Sequence, residues 1–177
     1  MNKLFFGFLL IFIDFNLNLN GHTLNIFPDW AGYCLIYAGL NDLANEGEHF
    51  PLAKPWCLGM AAYTGIVWVL ELLLGETKLG IIGWLLTLAA ALVSFYVSYL
   101  IIQGIGDIEH NRGVSLGQDK LMKAWKLYVI FGLAARALVI LAPLAVICVI
   151  VAFVAAVLFL VRFNSTRQAY NNLQLDQ

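Results

Sequence analysis

Charged residues are scarce in this sequence: Asp, Glu, Lys and Arg make up 12% of the 177 residues, whereas 62% are hydrophobic. Soluble domains are about 25% charged and about half apolar. A chain with half the usual charge cannot cover its surface with polar groups, so we expect lipid to solvate much of that surface. The net charge of −1 also gives no basic footprint for nucleic acid.

Cysteine is sparse as well, and the three cysteines do not form a recognisable motif. Cys34, Cys57 and Cys148 are far apart and lie in apolar sequence. Because no CxxC or Cys/His spacing is present, we expect them to be reduced packing residues. The sequence therefore predicts no metal site and no other cofactor.

A signal-peptide cleavage site is also lacking. The opening MNKLFFGFLLIFI resembles a signal peptide, but no small-residue cleavage site follows it. Neither a myristoylation start nor a prenylation end is present. We therefore expect the segment to remain as a first helix.

Long apolar runs predict an all-α integral membrane bundle with about six membrane segments. The first two segments are short: the uncharged part of the first, 4–13, would measure about 15 Å as a helix, half of a ~30 Å hydrocarbon core. Such a pair is either two thin spans or a re-entrant element. We predict one transmembrane domain over residues 1–163 and a polar cytoplasmic tail over 164–177. The predicted segments are 3–19, 28–41, 55–74, 79–103, 121–141 and 143–161.

The basic residues predict the orientation of these segments. Six segments put both termini on one side, which then carries eight of the ten Lys and Arg residues. The other side keeps only Lys78, with Arg136 inside the fifth segment. The positive-inside rule therefore places the N- and C-termini in the cytoplasm.

Five ionisable residues are predicted to lie in the outer third of the membrane: Asp14, His22, Asp29, Glu71 and Arg136. A charge at a helix centre costs about 2.5–3.5 kcal/mol, which favours pairing, and Glu71 with Arg136 is our preferred pair. These residues either satisfy one another structurally or bind an ion or a small polar ligand. No ligand spacing enforces a metal site at Asp14, His22 and Asp29.

The main hydrophilic stretch is GIGDIEHNRGVSLGQDK, residues 104–120, on the predicted cytoplasmic side. Its mixed charges are either a solvated turn or a partner-docking surface. The candidate docking residues are Asp107, Glu109, His110 and Arg112. Anionic lipid headgroups would match the lysines that follow at 120, 123 and 126.

Small residues predict close contact between helices. Ala61-xxx-Gly65, Ala152-xxx-Ala156 and the alanine run 89–91 allow close helix approach. Packing within one chain and a homodimer both explain them.

Two resemblances bear on function. LFFGFLLIFIDFN followed by IFPDWAGYCLIYAGLNDL resembles a group of small polytopic membrane proteins from Gram-positive bacteria, most closely over residues 4–43. This implies a multi-pass protein of the bacterial cytoplasmic membrane but no activity, because none is known for the group.

Gly104-Ile-Gly-Asp107 is similar to the GxGD motif of intramembrane aspartyl peptidases, which implies a second carboxylate sharing a proton with Asp107. The predicted topology places Asp107 at the inner edge of the membrane and Asp14 in the outer half. Asp14 is therefore too far from Asp107 to be that second carboxylate.

Three functions follow from these observations. The first is binding or transport of an ion or small polar ligand through the outer cluster. The second is a non-catalytic interaction or sensor subunit that docks a cytoplasmic protein through residues 104–120. The third, which the topology favours least, is an aspartyl peptidase, so we expect a non-enzymatic protein.

Overall fold

The computed structural model describes residues 1–12, 16–19, 22–25, 28–74, 80–138 and 142–175. Within these ranges the elements are α1 (Asn2–Phe12), β1 (Asn16–Leu19), β2 (His22–Asn25), α2 (Asp29–Asp42), α3 (His49–Leu74), α4 (Gly80–Arg112), α5 (Gln118–Ala137) and α6 (Ala142–Leu175). In this described part, three helices are long and apolar enough to cross a membrane: α3, α4 and α6. The predicted helical membrane protein is confirmed at this level. The chain divides into two compact units, Met1–Leu100 and Ile101–Gln177.

In the first unit, α1 and α2 form an antiparallel pair. The Nζ of Lys3, near the start of α1, lies 2.8 Å from Oδ2 of Asp42 at the end of α2. The two helices have 11 and 14 residues, or about 16 and 21 Å at 1.5 Å per residue. Both are shorter than a hydrocarbon core, and the chain returns to the end of the pair at which it started.

Glycines bring α1 and α2 into backbone contact. A Cβ added to Gly7 would stand 2.7 Å from the carbonyl oxygen of Gly32, and one added to Gly32 would stand 2.8 Å from that of Gly7. The Gly7 Cβ would also meet Cγ1 of Ile36 at 2.5 Å, while Gly39 lies against the side chain of Leu4. The interface therefore admits no side chain at Gly7 or Gly32.

An antiparallel hairpin joins α1 to α2 in the sequence. Its register pairs Asn16 with Asn25, Leu17 with Leu24, Asn18 with Thr23, and Leu19 with His22. The prediction of a first helix over 3–19 is therefore wrong, since α1 ends at Phe12. The overlooked signal is the dipeptide Asn20-Gly21 between alternating polar and apolar residues, which is typical of a two-residue hairpin turn.

Helix α3 begins at His49 and continues through Pro55, six residues before its predicted start. It packs on α2, where the rings of Trp30 and Trp68 meet edge to face at 6.5 Å between centroids. Gly65 also lies against Trp30, since a Cβ added there would be 3.6 Å from that of the tryptophan. Gly65 is thus in ordinary van der Waals range of the Trp30 side chain on α2.

The last part of α4 and the whole of α6 belong to the second unit, and both helices extend beyond their apolar runs. Helix α4 continues through the predicted hydrophilic stretch to Arg112, so the connection to α5 shrinks to residues 113–117. Helix α6 has 34 residues and reaches Leu175, or about 51 Å, so 164–175 continue a helix that was predicted to end at 161. Helix α5 packs along α6 but is not among the three candidate spans.

Candidate functional site

The connection between α4 and α5 is short and turns sharply at two glycines. Gly113 and Gly117 have φ angles of 64° and 85°, in the left-handed region that residues with a Cβ rarely adopt. Gly113 follows the last residue of α4, and Gly117 precedes the first residue of α5. Gly113 therefore marks the end of α4, and Gly117 marks the start of α5.

Glu109 holds this connection from α4. Its Oε1 accepts hydrogen bonds from the backbone N–H of Leu116 and from that of Gln118, the latter at 3.1 Å. The first N–H groups of a helix have no partner within the helix, and a carboxylate there also complements the helix dipole. Hydrogen bonds to an ionised acceptor are about twice as strong as neutral ones, so Glu109 caps α5.

Helix α6 holds the same connection from another direction. The hydroxyl of Thr166, which is 1% exposed, donates a 2.8 Å hydrogen bond to the carbonyl oxygen of Leu116. The side-chain amide of Gln118 donates to Oε1 of Gln103 on α4 at 3.3 Å. Side chains from two different helices therefore satisfy both backbone groups of Leu116.

An aromatic contact links the ends of α4 and α6. The guanidinium carbon of Arg112 lies 5.8 Å from the ring centroid of Tyr170, within the range of a cation–π interaction. The hydroxyl of the buried Tyr170 accepts a 2.9 Å hydrogen bond from Gln174. Nη1 of Arg112 and Nε of Arg167 are shielded from solvent here.

The contacts around Leu116 leave a group of polar side chains exposed on a fixed backbone. We call this group the clamped surface; it comprises His110, Asn111, Ser115, Asp119 and Lys120. The surface carries hydrogen-bonding groups and charges of both signs.

The structure divides the predicted docking residues by their contacts. His110 is exposed, whereas Asp107 lies half-buried within α4. Glu109 and Arg112 are engaged inside the chain by Leu116, Gln118 and Tyr170. The sequence analysis did not identify Thr166 or Tyr170. The glycines at 113 and 117 could have predicted a tight connection between two helices, but not these two contact residues.

The predicted ligand-binding residues are only partly described. Asp14 lies outside the described residues, and His22 is placed only as the register partner of Leu19 in β2. Asp29 is half-buried at the start of α2, and Glu71 is exposed on α3.

Arg136 makes a contact within its own helix: its Nη1 donates to the carbonyl oxygen of Gly132 at 2.9 Å. Glu71 belongs to the first compact unit and Arg136 to the second, so their pairing stays a prediction. Across the described ranges, no three His, Cys, Asp or Glu side chains gather where they could hold a metal ion.

Comparison with known proteins adds no assignment: no protein family, curated protein or solved structure matches the chain significantly. The resemblance to membrane proteins of Gram-positive bacteria stays a prediction.

Proposed function

We propose that this chain is a non-catalytic, multi-pass membrane protein that docks a partner protein through the clamped surface. The observation that carries the proposal is the pair of hydrogen bonds that Glu109 accepts from the backbone N–H groups of Leu116 and Gln118. It supports docking because it fixes the backbone on which the exposed residues stand. A surface ordered in advance loses less conformational entropy on binding.

The proposal includes a topology. The α1–α2 pair enters the membrane and returns to the same side, and α3 to α6 supply four crossings, so about six segments leave both termini in the cytoplasm of a bacterial cell. The asymmetry of Lys and Arg supports this orientation. The clamped surface then faces the cytoplasm, where a soluble or peripheral protein has access to it.

Site-specific photo-crosslinking in native membranes tests this proposal. A photoreactive amino acid at Ser115 of the full-length chain should give one discrete adduct with another protein. The same probe at Asn45, an exposed residue between α2 and α3 on the same predicted side, serves as the control and should give none. Equal adducts at both positions, or none at Ser115, would contradict docking.

A second measurement tests whether the hydrogen bonds accepted by Glu109 are needed for docking. Glu109→Ala should speed amide exchange at Leu116 and Gln118 by about 10-fold or more, because hydrogen bonds to charged groups contribute about 1.5–3 kcal/mol. It should also weaken the adduct at Ser115. Glu48→Ala, at an exposed carboxylate before α3, is the matched control. If amide exchange becomes faster but the yield of the Ser115 adduct is unchanged, the hydrogen bonds of Glu109 are not needed for docking.

The Lys3–Asp42 ion pair favours a second candidate function, binding of an ion or small polar ligand. This pair lies at one end of the α1–α2 pair. The polar stretch that connects the two helices in the sequence follows the other end of α1. In the proposed topology that end faces outward. If this function is correct, Na⁺ or Ca²⁺ alone should raise the melting temperature, and Asp29→Asn should abolish that increase. Glu48→Gln should retain it.

A further inference from the structure

A groove between α3 and α4 forms a cavity of about 590 Å³ within the first unit. Its walls include Trp56, Gly59 and Tyr63 on α3, and Leu86 and Ala90 on α4. Among the lining side chains, only the Trp56 indole nitrogen and the Tyr63 hydroxyl are polar. A charged or strongly hydrogen-bonding ligand would therefore lose its partners on entry.

Small residues make the groove wide. A Cβ added to Gly59 would have no atom within 4 Å, so the wall of α3 is open at this position. The alanine run 89–91 was predicted to allow close helix approach, yet Ala89 and Ala90 border the cavity. The space that these small side chains leave is thus available to an occupant.

The surroundings of the groove restrict that occupant to an apolar one. Both α3 and α4 are candidate membrane spans, and the flanking side chains Trp56 and Leu86 are 46% and 44% exposed. In a bilayer these side chains meet hydrocarbon, and an apolar cavity holds water poorly because water needs several polar partners. Lipid chains are the molecules present there at high concentration.

Aromatic residues give the groove a direction. Trp56 meets Tyr96 edge to face, with ring centroids 5.5 Å apart and planes at 86°. Both side chains are exposed, and tryptophan and tyrosine concentrate at the membrane–water interface. The Trp56 end therefore lies at headgroup level, while Tyr63 and Leu86 lie deeper.

We propose that the α3–α4 groove binds one acyl chain of a bilayer phospholipid, with the headgroup beside Trp56 and Tyr96. The apolar lining and the exposed side chains at its rim support a lipid chain as the occupant. From Pro55 to Tyr63 the α3 wall is about 12 Å long, so it can follow part of one extended chain. The site is independent of partner docking.

Filling the groove tests the proposal. Gly59→Phe places a ring in the open space, and Ala62→Phe adds the same ring at an exposed position of α3 outside the groove. Full-length protein is reconstituted in phosphatidylglycerol vesicles containing a phospholipid with a diazirine on its acyl chain. After illumination, labelling is measured by peptide mass spectrometry. Ala90→Phe, from the opposite wall, shows whether an effect belongs to the groove.

We expect wild type and Ala62→Phe to be labelled mainly within residues 55–63 and 86–93. Gly59→Phe and Ala90→Phe should each lower this labelling severalfold, because the added ring occupies the space that the chain would fill. Labelling unchanged in both groove variants overturns the proposal, as does equal labelling along 146–154 of α6. A wild-type dimer that becomes monomeric in Gly59→Phe would assign the groove to a second copy instead.

Discussion

Replacing Gly7 with alanine should destabilise the protein, although alanine is the better helix former. The new methyl group would stand 2.7 Å from the carbonyl oxygen of Gly32 and 2.5 Å from Cγ1 of Ile36. The carbonyl belongs to the backbone of α2, so the clash is relieved only if the two helices move apart. Gly59→Ala is the matched control, because a methyl group there meets no atom within 4 Å.

The magnitude follows from comparing these two variants. Both gain up to about 1 kcal/mol from the higher helix propensity of alanine, so this contribution cancels in the difference. Overpacking a closely packed contact typically costs about 1–3 kcal/mol. The free energy of unfolding of Gly7→Ala should therefore lie about 1–3 kcal/mol below that of Gly59→Ala.

The assay is reversible unfolding of full-length protein by SDS in mixed micelles, followed by circular dichroism. Gly7→Leu, with a larger side chain at the same position, should unfold at still lower SDS. If Gly7→Ala and Gly59→Ala agree within about 0.5 kcal/mol, the backbones of α1 and α2 are not in contact at Gly7, and the reasoning is refuted.

Two further predictions concern single contacts. Thr166→Val removes the hydroxyl that satisfies the Leu116 carbonyl and should lower the free energy of unfolding by about 1–3 kcal/mol. Ser165→Ala, which removes an exposed hydroxyl bonded within its own helix, should change it by less than about 0.5 kcal/mol; equal losses would contradict the role given to Thr166. Lys3→Gln should cost at most about 1 kcal/mol, and less in high salt, because the Lys3–Asp42 pair is half exposed. A larger, salt-independent loss in the same SDS titration would contradict this estimate.

Apolar runs predicted α3, α4 and α6, the three candidate spans among the described residues, but they also predicted further segments and did not show where the helices end. Hydropathy reports the solvent of a helix, whereas its length depends on backbone hydrogen bonds that continue past the hydrocarbon. Helices α4 and α6 therefore run on through polar sequence to Arg112 and Leu175. The end of α4 and the start of α5 were readable from the sequence, because Gly113 follows one helix and Gly117 precedes the other, and glycine is common at such helix boundaries.

The contacts of the clamped surface were beyond sequence reasoning for a different reason. Glu109 bonds to groups seven and nine residues ahead, and Thr166 bonds to a group 50 residues away. Neither spacing follows a helical or strand period. The sequence shows that the stretch is charged, but which of its residues face inward depends on a tertiary arrangement that one sequence does not encode locally.

The two holds on Leu116 make this residue a mechanical link between α4 and α6. Its N–H is fixed by a side chain on one helix and its carbonyl oxygen by a side chain on the other. The donor–acceptor distances of good hydrogen bonds to oxygen vary by only about half an ångström. An axial slide of α6 along the end of α4 by much more than that must break one hold or drag the connection with it. A change in bilayer thickness that shifts α6 would therefore also move the connection between α4 and α5, and Ser115 with it.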